Sequence, residues 1–202
     1  MLVRRDVEVE VQYLTREAGG RQTPVRSGYR PQFHYEGRDW DAAHEYPDVT
    51  EVRPGERARA FLALLSPEEH DGRLVPGTQF EFREGARIVA IGTVTRVLDL
   101  PNSAYIAKLR AAIESYYRSL VDLAESVPAG GQRVDFLKCI EPTLAIRRDV
   151  MADNDAAIPE YVQAERHRRA SPPFAGDVET KTFEFFQQIE AMAANRPGAA
   201  AG

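Results

Sequence analysis

The sequence is poor in cysteine, in lysine and in long apolar segments. Cys139 is the only cysteine, which excludes an internal disulfide and fits a reducing compartment. No segment approaches the roughly 18 consecutive apolar residues that a membrane helix needs. No apolar stretch follows Arg4 and Arg5, so a secretory signal is not expected. Together these absences predict a cytoplasmic protein without a membrane partner.

An excess of positive charge is also lacking. The chain of 202 residues has a net charge of −5. Its first hundred residues contain 14 arginines, no lysine and 17 acidic residues. Affinity for nucleic acid depends mainly on neutralising phosphates, so tight RNA binding would need a local arginine patch.

Nucleotide and nucleophile motifs are missing. A phosphate-binding loop of the form G-x-x-x-x-G-K-[ST] does not occur, and none of the three lysines follows a glycine-rich turn. Cys139 lies between Lys138 and Ile140 in an apolar context, which favours a small buried residue over a nucleophile. We therefore expect no nucleotide, no cofactor and no enzymatic activity.

The histidines and carboxylates do not predict a metal or acid–base site either. The histidines are His34, His44, His70 and His167, and their spacing is not that of metal ligands. His70 stands in Glu-Glu-His-Asp, which indicates an acidic surface loop. We interpret Asp41, Glu45 and Asp48 as part of a solvated loop that follows a strand.

The first half of the chain has the period-two pattern of half-buried strands. Segments with strand character are Val7–Tyr13, the region of Phe33 and Tyr35, Arg57–Leu65, Thr78–Arg83 and Arg87–Leu98. Glycine and proline pairs such as Gly19-Gly20 and Pro54-Gly55 separate them. Five or six strands joined by tight turns predict a small closed barrel.

The second half has helical periodicity instead. Ser103 is a plausible N-cap for a helix over residues 104–126. The further predicted helices span residues 134–148, with a kink or break at Pro142, 159–169 and 177–194. We expect three parts: a barrel at 1–100, a helical extension at 101–196 and a disordered tail at 197–202.

Two groups of motifs in the first half carry a family resemblance. The first group is Gly19-Gly20-Arg21-Gln22-Thr23-Pro24 with Gly28-Tyr29-Arg30-Pro31-Gln32-Phe33, and the second is the segment 80–94, FEFREGARIVAIGTV. They resemble the C-terminal β-barrel, domain III, of elongation factor Tu, and the resemblance covers about half of the chain. It implies an α+β protein: an N-terminal six-stranded antiparallel β-barrel followed by an α-helical extension.

The resemblance also implies a binding surface. In elongation factor Tu this barrel touches the T-arm of aminoacyl-tRNA through residues that correspond to Arg21, Glu84 and Gly85, and Arg30 is a further candidate. Arginine suits bidentate contacts to phosphate, and glycine lets a ribose-phosphate backbone approach the main chain. The chain departs from the family at Gln22, where the family has histidine, and at Ala86, where it has glycine.

A separate candidate is Trp40, which lies among acidic residues. Tryptophan is enriched at protein–protein hot spots, so an exposed Trp40 would serve as an interaction anchor. The alternative is that Trp40 folds back over the end of the barrel.

These observations leave two functions to be compared. The first is a non-catalytic, translation-associated protein that binds a protein partner of the translation machinery by mimicking the elongation-factor surface. The alternative is a protein that binds the T-arm of tRNA or another structured RNA. The oligomeric state and the identity of the partner are not predicted.

Overall fold

The computed structural model describes residues 4–126 and 177–197, together with helical positions 141, 144, 145, 147–149, 160 and 163. The chain forms two compact units, Met1–Ala104 and Tyr105–Gly202. The first contains six strands: β1 Val7–Tyr13, β2 Gln32–Tyr35, β3 Arg38–Glu45, β4 Arg57–Leu64, β5 Gln79–Glu84 and β6 Arg87–Val97. A short 3-10 helix, Pro67–Glu69, lies between β4 and β5.

The six strands close into a barrel in the order β1-β4-β3-β2-β5-β6. Every neighbouring pair is antiparallel, including the pair β1–β6 that closes the ring. Closure leaves no unpaired strand edge. The predicted α+β class, with a six-stranded antiparallel barrel followed by helices, is confirmed.

Alternation of inward and outward side chains builds the barrel core. Val7, Val9 and Val11 of β1 are fully buried. Phe33 contacts the rings of Phe80 and Phe82 at centroid distances of 4.8 and 6.1 Å. The barrel interior is thus packed with side chains.

β3 corrects the prediction of a solvated loop at Asp41 and Glu45. These residues belong to a strand that pairs with both β2 and β4. Sequence patterning did not predict this strand because most of its outward positions are charged and its inward positions include the small Ala42 and the polar His44, both of which are buried. Asp48 lies beyond the strand and pairs with Arg59 at 2.8 Å.

His70 also differs from its prediction, because it is fully buried rather than part of a surface loop. Its Nδ1 lies 2.6 Å from the hydroxyl of Tyr35, and its ring packs edge-on against Trp40 at 4.6 Å. The 3-10 turn directs His70 inward while Glu69 and Asp71 stay exposed. The acidic neighbours of His70 in the sequence therefore indicated a surface loop, although His70 itself is a core residue.

The first long helix, α1, spans Leu100–Ser126 and begins earlier than predicted. Ser103 is not its N-cap, because the amide of Ser103 already donates to the carbonyl of Asp99 at 2.9 Å. The Ser103 hydroxyl instead donates to the buried Asp6 carboxylate at 2.5 Å. Asp6 also accepts from the Leu64 amide at 2.7 Å, so one carboxylate joins three chain segments.

The second unit contains most of α1 and the helix α2, Asp177–Ala194. Their apolar faces share one cluster, in which Tyr116 and Phe185 stack at 4.0 Å. The other buried members are Tyr105, Leu109, Ile113, Leu120, Phe186 and Ile189. Apart from the single helical positions given above, the predicted helices at 134–148 and 159–169 lie outside the described residues, as does the tail beyond residue 197. No described helix is both long and apolar enough to span a bilayer.

Substituting Gly92 by alanine is expected to destabilise the barrel. A Cβ at Gly92 would lie 2.3 Å from the ring of Phe80, its partner on β5, and 2.8 Å from the Glu10 carbonyl oxygen. Overpacking of this kind costs about 1–3 kcal/mol. Urea unfolding should show a lower midpoint for Gly92→Ala, whereas Thr93→Ala next to it should lose less than about 1 kcal/mol. Equal losses in both variants would contradict this packing.

Candidate ligand-binding surface on the barrel

Arg21 and Glu84 come from distant parts of the sequence and form an ion pair on the barrel. Tyr29 joins them, because its hydroxyl donates to Glu84 Oε1 at 2.9 Å and accepts from Arg21 Nη1 at 3.2 Å. The Arg21 guanidinium also lies over the Tyr29 ring, 4.7 Å from the centroid. The two motifs thus meet at one site.

Arg87 completes this group from the start of β6. Its Nη2 pairs with Glu84 Oε2, so a single carboxylate lies between two guanidinium groups. Gly85 stands in the turn between Glu84 and Arg87 with φ at +62°, a conformation that favours glycine. We call Arg21, Tyr29, Glu84, Gly85 and Arg87 the Glu84 cluster.

Tyr29 anchors the Glu84 cluster to the barrel core. Its ring packs edge-on against the buried His44 at 5.6 Å. Burial raises the pKa of the Tyr29 phenol, although Arg21 and Arg87 act in the opposite direction. The phenol therefore stays protonated near neutral pH and keeps its role as donor to Glu84.

Tyr29 packs on a set of three buried, hydrogen-bonded polar side chains. His44 Nδ1 lies 3.1 Å from the Tyr46 hydroxyl, which in turn is hydrogen-bonded to the Tyr13 hydroxyl. Burial lowers the pKa of His44 to about 3 and raises the pKa values of both tyrosines. All three side chains are therefore neutral near pH 7 and give the cluster a buried, uncharged support.

The other two predicted site residues lie outside the Glu84 cluster. Arg30 follows Tyr29 directly, is exposed, and makes no ion pair within the described part of the chain. Trp40 is partly buried against the core and contacts His70 and Tyr35. It lies four residues from His44 along β3, about 13 Å by the rise of a strand. Trp40 therefore belongs to a different part of the barrel.

Acidic residues lie beside the cluster on the outer face. Asp41 of β3 pairs in register with Gln32 of β2, which pairs with Arg83 of β5, the residue before Glu84. Asp41 is exposed, and Arg83 is already paired with Glu81 at 2.5 Å. Among the described residues Asp41 forms no ion pair, so the row next to the Glu84 cluster carries an unpaired carboxylate.

A separate groove of about 550 Å³ crosses the outer faces of β1, β2, β5 and β6. Glu10, Glu81 and the exposed Ile91 are among its lining residues. None of the predicted site residues lines it. In the described residues, no group of three or more histidine, cysteine or carboxylate side chains is placed to hold a metal ion.

Sequence reasoning missed two members of the cluster. Tyr29 belongs to the first motif but is not among the predicted site residues, and Arg87 is predicted only as the start of a strand. The signal for Arg87 was its position three residues after Glu84 across a glycine turn, which places the two side chains side by side at the end of a hairpin. The contact of Tyr29 with Glu84 spans 55 residues and has no local signature.

The closed barrel and the Glu84 cluster define a class of protein: a small antiparallel β-barrel domain with a cluster of charged and polar side chains on its surface. Residues 2–98 match the family model described as the elongation factor Tu C-terminal domain. The barrel therefore belongs to this family, and the match covers just under half of the 202 residues. The family is translation-related, and the C-terminal domain of elongation factor Tu is a non-catalytic domain.

Acid should destabilise the barrel through His44. An unfolded histidine titrates near pH 6.5, whereas His44 in the folded protein has a pKa of about 3. Below pH 6.5 the unfolded chain binds the extra proton, so stability falls as pH falls, by about 2 kcal/mol between pH 6.5 and 5. The stabilisation is complete above pH 6.5.

Urea unfolding at several pH values tests this linkage. His44→Gln should reduce the slope of unfolding free energy against pH between 6.5 and 5 by about one proton. Phe82→Leu is the matched control, because Phe82 packs on His44 at 4.2 Å but does not titrate. It should lower stability and keep the wild-type slope. An unchanged slope in His44→Gln would refute the assignment.

Proposed function

We propose that this chain is a non-catalytic, translation-associated binding protein that engages a protein of the translation machinery. Its barrel would present the surface that the elongation factor Tu C-terminal domain presents and occupy a protein that normally meets that surface. The observation that carries the proposal is the Glu84 cluster, in which both family motifs meet on an intact barrel.

Charge favours a protein ligand over RNA. The chain has a net charge of −5, and the exposed Asp41 lies in the row beside the cluster. A carboxylate there repels phosphates that approach the same face. In a protein interface the same carboxylate can pair with a basic side chain of the partner.

The proposal is tested by capture of partners from native extract with the tagged full chain, with and without nuclease. Wild type should retain a translation-linked protein after nuclease treatment. Arg21→Glu should lose it, because the new carboxylate faces Glu84 and breaks the cluster; a loss of about 1–3 kcal/mol corresponds to roughly 5- to 150-fold weaker binding. Circular dichroism should show the fold unchanged.

Arg57→Glu is the matched control for this capture. It makes the same change of charge on the outer face of β4, where Arg57 pairs with Glu10 and both side chains are exposed. Exposed pairs of this kind contribute about 0–1 kcal/mol to stability. Retention of the partner by both variants, or capture of no translation-linked protein by the folded wild type, would contradict the proposal.

The second candidate function is binding of a tRNA T-arm or a related RNA stem. The exposed Arg30 and Arg87 beside the open Gly85 turn favour it, since guanidinium groups and bare backbone suit phosphate and ribose. This function predicts that tRNA affinity falls steeply with salt, and that each phosphate-binding arginine removed lowers the log–log slope by about 1. Filter binding at several salt concentrations decides it, and affinity independent of salt would exclude it.

A further inference from the structure

We propose that Arg87 makes the direct contact with the ligand of this surface, that the ligand is an acidic segment of the partner protein, and that Arg21 is a positioning residue that acts through Glu84. The inference rests on the proposed function, because it states what the partner must present to the same surface.

The donors of Arg21 are already engaged within the barrel. Nη1 contacts Tyr29 and Glu84, while Nε and Nη2 face the carbonyl and hydroxyl oxygens of Thr23 at 3.4 and 3.3 Å. Only 21% of the Arg21 side chain is exposed. Arg21 is thus suited to hold Glu84 in place and has little freedom to grip an incoming group.

Arg87 has the opposite character. Its side chain is 49% exposed, and its contact with Glu84 uses one of its two Nη atoms. A guanidinium has five N–H donors in a planar fork, and Glu84 is the one ion-pair partner of Arg87 among the described residues, so most of these donors remain available. Glu84 fixes Arg87 at the hairpin end without saturating it, and no heavy atom outside Gly85 and its two chain neighbours lies within 4 Å of the position that a Gly85 Cβ would occupy.

The positive charge of the Glu84 cluster favours an anionic ligand. Within the Glu84 cluster two guanidinium groups share one carboxylate, which leaves a charge of about +1. The exposed Arg30 follows Tyr29 in the sequence and is a further positive charge on this segment. A basic spot on a chain with a net charge of −5 is suited to an isolated carboxylate.

The exposed Asp41, in the row of side chains beside the cluster, favours a peptide carboxylate over a phosphate backbone as the ligand. An RNA stem carries a charge at every nucleotide and would bring phosphates past the exposed Asp41. An acidic peptide can place one or two carboxylates on Arg87 and Arg30 and present neutral or basic groups to Asp41. Glu84 already demonstrates that a planar carboxylate fits between the guanidinium groups of Arg21 and Arg87.

The direct test is an NMR titration of the full chain that follows the arginine Nε–Hε signals. The probes are an acetylated, amidated hexaglutamate and, separately, mixed tRNA. Hexaglutamate should move the signals of Arg87 and Arg30 and leave that of Arg21 nearly in place. Movement of Arg21 alone, or of none of the three signals, would overturn the proposal. A tRNA affinity more than tenfold that of hexaglutamate, with competition between the two, would overturn the acidic-segment assignment.

Substitutions distinguish a residue that contacts the ligand, Arg87, from one that positions Glu84, Arg21. Arg87→Gln should weaken hexaglutamate binding at least about fivefold, since a charge-assisted hydrogen bond is lost. Arg87→Lys should restore it to within about threefold, because a mobile point charge is sufficient for a direct contact. Arg21→Lys should not recover the loss caused by Arg21→Gln, because Arg21 acts through its fork and its stacking on Tyr29.

Arg96→Gln is the matched control. Arg96 also pairs with a glutamate, Glu8, but it lies nine residues along β6 from Arg87, about 30 Å away by the strand rise. Its substitution should leave hexaglutamate binding unchanged. Wild-type binding by Arg87→Gln, or rescue by lysine at position 21 but not at 87, would refute the assignment of roles.

The same variants in the capture experiment distinguish the proposed function of the chain from the role of Arg87 in ligand binding. If Arg87→Gln retains a translation-linked protein as well as wild type does, the role of Arg87 is refuted and the proposed function stands. If wild type captures no such protein while hexaglutamate still moves the Arg87 signal, the proposed function fails and the surface chemistry stands.

Discussion

Closure of the barrel is the constraint on which the described surface depends. The pairing of β1 with β6 joins the first and last strands, so every inward position faces the same packed interior. Once the ring is closed, β2 and β5 are neighbours, and the segment before β2 lies beside the hairpin that follows β5. Tyr29 can then reach Glu84, although 55 residues separate them. The cluster is a consequence of strand order.

The polar interior near this surface has a support role. The neutral His44 packs against Tyr29 and is hydrogen-bonded to Tyr46, which is linked to Tyr13. Tyr29 in turn contacts both Arg21 and Glu84. Burial keeps His44 and the two linked tyrosines uncharged near neutral pH. The charges of this arrangement lie in the Glu84 cluster, on Arg21, Glu84 and Arg87. The charged groups of the Glu84 cluster therefore stand on a buried, uncharged support.

Prediction from sequence succeeded where the signal was local. Alternation along β1, β5 and β6 and the glycine turns were sufficient for the barrel, and the apolar stripe of α1 indicated a packed helix. It failed where local chemistry opposed the tertiary environment. β3 has charged outward residues and a small inward alanine, and His70 is a core residue between exposed acids. Ser103 resembled a cap but binds a buried carboxylate from the chain's first segment.

The sequence by itself determined the barrel, its family and the motif residues Arg21, Glu84 and Gly85, because alternation, turns and motif letters are local properties of the chain. Only the tertiary structure decided how differently the two arginines of the Glu84 cluster are placed. Arg21 is enclosed by Tyr29, Thr23 and Glu84, whereas Arg87 is half exposed at the hairpin end and pairs with Glu84 alone among the described residues. Exposure and hydrogen-bond saturation depend on which distant segments become neighbours, and closure of the barrel sets those neighbours.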